Sequence, residues 1–165
     1  MRRSNEWNAL ASQEQELILG HQQDFPIKIG AIAKDLGVIV KRSTLKPGIS
    51  GEIREVDGGV IVKINRHDSK ERQRFTLAHE IAHFLLHKDD IKNGIEDTVL
   101  FRSSLSNEKE AEANRLAADL VMPFSLIENI KFPPGTRREI VVEQIAKIAE
   151  LSTPAIDIRL GKKGF

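Results

Sequence analysis

Residues 72–87 read RQRFTLAHEIAHFLLH and carry the 3.6-residue apolar period of a helix. At its centre His79, Glu80, Ile81, Ala82 and His83 spell HExxH. Four residues apart on a helix, His79 and His83 project from one face about 6 Å apart along the axis, so one Zn²⁺ can take both imidazoles. Glu80 lies about a hundred degrees round, outside the ligand set but placed to take a proton from a water on the metal. Without more, the same residues would be two histidines and a glutamate on a partly solvated helix face. A third ligand and a suitable scaffold decide between the two.

A tetrahedral catalytic site takes three protein groups and keeps its fourth position open. Residues 107–121 form a second strongly helical stretch ending at Met122 and Pro123, with Ala113, Leu116, Ala117 and Leu120 as its buried stripe. Glu110 and Asn114, at i and i+4, share a face with Ala113 and Ala117, whereas Glu112 points away. Glu110 is therefore the expected third ligand. Asn114 is expected behind it, steadying a ligating imidazole through its other ring nitrogen. Acids near a helix N-terminus are also favoured by the macrodipole, so Glu110 gains its meaning only beside HExxH. His87 lies two turns beyond His79, about 12 Å along the axis, with no Gly to turn the chain back. It cannot share the ion, and a place at the negative end of the helix dipole is expected for it.

Upstream, residues 5–20 read as one amphipathic helix, with Trp7, Leu10, Leu17 and Ile18 inward and Gly20 at its end. A second helix is expected from near Pro26, carrying Ile29, Ile32, Ala33 and Leu36 before Gly37. The period then changes. Residues 38–41 are a short β-branched run, and 51–56 and 60–65 alternate about Asp57, Gly58 and Gly59, the pattern of a hairpin. Three antiparallel strands followed by the motif helix, N-capped by Asp68 or Ser69, make an α+β, zincin-like core. An edge strand in such a core can receive an extended peptide through main-chain hydrogen bonds. Residues 88–106 read as a loop bordering the cleft, and 124–130 as a short helix.

Phe132, Pro133, Pro134 and Gly135 are the clearest break in the chain, dividing a metallopeptidase domain at 1–131 from a C-terminal helical segment at 136–165 packed on the same core. Residues 142–160 have the look of a helix-turn-helix, with a turn at 150–154 capped by Ser152. Its second helix offers only Asp157 and Arg159 as polar groups, and Lys162 and Lys163 form a modest tail. That is a poor basic face, so DNA binding by this chain alone is not expected.

The segments RQRFTLAHEIAHFLLH at 72–87 and EAEANRLAADLVMP at 110–123 together resemble the ImmA/IrrE family of zinc metallopeptidases, over roughly residues 26–125. The resemblance implies metal ligands at His79, His83 and Glu110 and a catalytic base at Glu80, the set that helix geometry also selects. It further implies a substrate: a partner helix-turn-helix repressor, often encoded nearby, whose cleavage relieves repression of stress or mobile-element genes.

The 165 residues suffice for one domain with a small appendage. Lys and Arg number 25 against 24 acids, a net charge of +1 that gives no general pull toward nucleic acid or anionic membrane. Cysteine is absent, which excludes disulfides and thiolate ligands. MRRSNEWNAL lacks the apolar core of a signal peptide, no run is long enough to span a bilayer, and a cytoplasmic protein is expected.

The expected chemistry is metal-assisted peptide hydrolysis of the HExxH, gluzincin-like kind, with Zn²⁺ as cofactor and Mn²⁺ or Fe²⁺ also compatible with two imidazoles and a carboxylate. There is no Tyr to act as a second electrophile, which leaves His67, Arg72 and Arg115 for that role. Two other classes stay open: a repressor-holding module with a structural metal, and a DNA-binding regulator.

Overall fold

The computed structural model describes residues 2–92, 94–98 and 105–161. Its elements, in chain order, are α1 (Asn5–Asn8), α2 (Ser12–His21), α3 (Ile29–Asp35), β1 (Ile39–Ser43), β2 (Ile49–Val56), β3 (Gly59–Asn65), α4 (Lys70–Leu86) and α5 (Lys88–Ile91). There follow β4 (Ile95–Thr98), α6 (Asn107–Val121), α7 (Phe124–Ile127), α8 (Arg138–Ala149) and α9 (Thr153–Leu160). The class is α+β, with the sheet packed on helices.

The sheet differs from three antiparallel strands. It is mixed and four-stranded, in the order β1-β3-β2-β4, with β1 parallel to β3 and β2 antiparallel to both β3 and β4. Burial explains the order. β2 carries fully buried Ser50 and Ile53 and needs a neighbour on each side, whereas most of β1 is exposed and suits an edge. The hairpin turns where expected, with Asp57 at φ 50° and Gly58 at φ 77°, the two positive-φ positions of a type I′ turn.

Residues 88–106 are not one loop. They hold α5 and β4, because Ile91 and Ile95 are buried and Ile95 sits opposite Ile53 in the sheet; residues 99–104 of that expected loop lie outside the described residues, as do Lys162 and Lys163. The expected helix over 5–20 is broken after Asn8. Gln15 Nε2 donates to the carbonyls of Trp7 and Leu10, and the Ala11 N–H donates to Glu14, so side chains replace the helical bonds there. The next helix begins at Ile29, not near Pro26, because Lys28 has a non-helical ψ of 73° and the Ile29 N–H turns back to the Ile27 carbonyl. The helix after Pro123 is a single turn ending at Ile127.

α4 crosses beneath the sheet, Ser69 capping its start by accepting from the Arg72 N–H. Ile53, Val62 and Ile64 from the strands join Leu77, Ala78 and Ile81 of α4 and Leu116, Ala117 and Leu120 of α6 in one core. Each Ile or Leu buried there contributes about 1.5–3 kcal/mol. Ile145, Ala149 and Ile156 of the C-terminal helices belong to the same cluster. Arg74 of α4 ties them in, donating to the carbonyls of Glu150, Ala149 and Ile27. Among the described residues no helix is long and apolar enough to cross a membrane.

The last carbonyls of α6 have no partner within the helix and are served by side chains from both ends of the chain. Arg3 donates to the Asp119 carbonyl, and Gln22 to those of Asp119 and Leu120. Arg159 of α9 donates to the Met122 carbonyl and to the buried Asp119 carboxylate, which also accepts from the Ser4 N–H.

Candidate metal centre

α4 and α6 lie side by side, and their facing stripes bring His79, His83 and Glu110 together. The two Nε2 atoms are 3.0 Å apart, and the Glu110 carboxylate spans them, Oε2 lying 3.2 Å from His79 Nε2 and Oε1 3.3 Å from His83 Nε2. Bonds of about 2.0–2.1 Å in a tetrahedron set neighbouring ligand atoms about 3.3 Å apart. The three donors therefore fit a single divalent ion with one position to spare. All three side chains are buried. Burial pushes the His83 imidazole below its ordinary pKa, against the pull of its bond to Glu110, so its neutral, metal-binding form is favoured.

Glu110 sits in the first turn of α6, where Ser106 caps the helix by accepting from the Lys109 N–H. The helix dipole favours an acid in this turn, but burial turns this one inward. Asn114, one turn on, places Oδ1 2.9 Å from His79 Nδ1, where it accepts the N–H of the ring nitrogen turned away from the ion site. Glu80 is fully buried on α4 under strand β2. Gly51 makes room for it: a Cβ there would stand 2.6 Å from Thr76 Cγ2 and 3.2 Å from Glu80 Oε1. Gly51→Ala should cost about 1–3 kcal/mol by overpacking, seen as a lower urea midpoint. Adding Thr76→Ser, which removes Cγ2 and keeps the hydroxyl, should recover most of that loss; a double variant no more stable than the single would show that the crowding lies elsewhere.

His87 departs from the expected role. It does cap α4, but its ring is not simply set at the end of the dipole: it is buried between His83 and Glu112, with its Nδ1 2.9 Å from His83 Nδ1 and its Nε2 2.9 Å from Glu112 Oε2. Glu112, which faces away from Glu110 and Asn114, faces this histidine. The signal was the run His79, His83, His87 at intervals of four. The spacing that keeps His87 from the ion puts it against the rear of His83. The three residues weighed as second electrophile are engaged elsewhere: His67 with Thr44, Arg72 with Ser50 and Asp68, and Arg115 with Glu6.

Two imidazoles one helical turn apart, closed by a carboxylate from a neighbouring helix and accompanied by a second buried carboxylate, define the HExxH class of metallopeptidase sites. Within that class the chain belongs to the IrrE N-terminal-like domain family, whose sequence model matches residues 33–161 and so runs through α8 and α9. Two curated relatives carry the name radiation response metalloprotease IrrE. The one from Deinococcus deserti is 37% identical over 95 residues, covering 56% of this chain and 32% of the relative. The one from Deinococcus radiodurans is 38% identical over 95 residues, covering 56% of this chain and 28% of the relative. The chain thus matches about a third of the length of these relatives.

Proposed function

We propose that this chain is a zinc-dependent endopeptidase that hydrolyses one peptide bond in a partner protein, a helix-turn-helix transcriptional repressor, and so relieves repression. The observation that carries the hydrolytic part is the convergence of His79, His83 and Glu110 within 3.0–3.3 Å, with buried Glu80 following His79 on the same helix. The substrate class rests on the family resemblance, and such a repressor would be met in the cytoplasm.

His79, His83 and Glu110 would hold the divalent ion, which when bound would supply Lewis acidity to a water and to the scissile carbonyl. Glu80 accepts the proton of that water as its oxygen bonds to the carbonyl carbon, then delivers it to the amine as the C–N bond breaks. Asn114 fixes the ring of His79. The packed sheet excludes bulk water from one side, and Gly51 keeps β2 close over Glu80. Among the described residues β4, the outer neighbour of β2, is the last strand of the sheet on this side, and an extended substrate segment would add there by main-chain hydrogen bonds. The DNA-binding alternative is weakened because both charged groups of α9 are already paired, Asp157 with Arg138 at the surface and Arg159 with buried Asp119.

The test is to incubate the purified chain with a candidate helix-turn-helix repressor, sought first among the neighbouring reading frames, with and without Zn²⁺, and to weigh the products. Two fragments whose masses sum to the repressor plus one water, lost on chelation and regained on adding Zn²⁺, are expected; Mn²⁺ and Fe²⁺ in parallel rank the metals. A repressor held intact in a stable complex with the zinc-loaded chain would instead make this protein a binding module.

A further inference from the structure

We propose that His87 and Glu112 are positioning residues for the metal ligand His83, acting as a two-step relay behind it. The inference rests on the metallopeptidase reading.

The proton positions follow from geometry. His83 Nε2 is the atom facing His79 Nε2 and Glu110, so its lone pair is the one turned to the ion. Its hydrogen then sits on Nδ1, which lies 2.9 Å from His87 Nδ1 and donates to it. Having accepted at Nδ1, the neutral His87 ring carries its own hydrogen on Nε2, and this donates to Glu112 Oε2 at 2.9 Å. The Glu112 carboxylate thus fixes the tautomer of His87, which fixes the tautomer and ring plane of His83. A carboxylate feeding a histidine in this way raises the donor strength of the ligand.

The two ligands are therefore supported differently. His79 is backed by the neutral Asn114 amide, and His83 by an imidazole that itself leans on a negative charge. The relay draws on both helices of the site, since His87 caps α4 and Glu112 sits on α6 between Glu110 and Asn114. The His87 side chain is 5% exposed, so its polar atoms have little access to water and depend on these two partners.

Zinc affinity by chelator competition and the visible spectrum of the Co²⁺-loaded chain test this without an activity assay. His87→Phe keeps an aromatic ring, somewhat larger than the imidazole, and removes both polar contacts; it should bind zinc about 10–100-fold more weakly, with an altered Co²⁺ spectrum. His87→Gln, which can accept from His83 and donate to Glu112, should recover most of the affinity. Glu112→Leu, at a partly exposed position that tolerates change, should weaken zinc by about 10-fold and serves if His87→Phe does not fold. Variants that fold and bind zinc as tightly as the parent, with its Co²⁺ spectrum, overturn the proposal. So does a folded His87→Gln that binds no better than His87→Phe, since packing alone would then be at work. A parent chain that takes up no zinc would sink the metallopeptidase reading itself, an outcome distinct from parent and variants binding alike.

Discussion

A Glu80→Gln chain should load as much zinc as the parent and cut its substrate about 10²–10⁴-fold more slowly. Gln keeps the shape of the side chain and its hydrogen-bonding reach but has no basic oxygen to accept a proton. The three ligands are untouched, because residue 80 points about 100° away from His79 round the helix. Folding should survive as well: Glu80 is fully buried, and replacing a buried carboxylate with a neutral amide of the same size removes a charge from the interior. Metal content by elemental analysis, thermal unfolding and a time course of fragment release together give the answer. Cleavage at the parental rate would remove Glu80 from the chemistry. An unchanged effect on the repressor in the absence of any fragment would show that holding the partner, not cutting it, is what counts.

The largest loss of stability should come from Asp119→Ala. This carboxylate is fully buried and accepts from Arg159 at 2.6 Å and from the Ser4 N–H at 2.8 Å. Truncating it strands the Arg159 guanidinium, whose side chain is only 11% exposed, with a carbonyl and the Phe124 ring for company. Breaking a buried pair by removing one partner costs about 3–5 kcal/mol, which for a chain of this size lowers Tm by about 10 °C. Asp119→Ala combined with Arg159→Leu should be more stable than Asp119→Ala alone, since the stranded charge goes too. Calorimetry of the three proteins checks this; a single variant melting within about a degree of the parent would show that the pair is not the anchor it resembles. Zinc uptake at a temperature where the variant is folded should remain, because Asp119 stands nine residues, about 13 Å, along α6 from Glu110.

The metal centre was legible in the sequence because its parts are local. HExxH needs one turn of helix, and the choice of Glu110 needs only the 3.6-residue period applied to the next strongly helical stretch. The Asp57-Gly58 turn was legible for the same reason. What escaped depended on contacts between distant segments. The parallel placement of β1 beside β3, where three antiparallel strands were expected, is decided by contacts between strands distant in the chain. β4 is a four-residue strand with acidic residues at 96 and 97, and its place is set by Ile95 meeting Ile53 of β2 across the sheet. His87 could be ruled out as a ligand from its spacing alone, but its actual partner, Glu112, comes from another helix. The break between α1 and α2 turns on Gln15 reaching back to two carbonyls, which no periodicity records.

Helix α6 is held at both ends by groups that have nothing to do with the metal. Ser106 caps its start and Lys109 pairs with Asp90 there, while Arg3, Gln22 and Arg159 clasp its final turn. Glu110 is thus delivered by the scaffold and does not have to be recruited by the ion. The entropy of arranging three ligands is spent when the chain folds, so capture becomes a docking event into a preorganised cradle, and little rearrangement stands between encounter and full coordination.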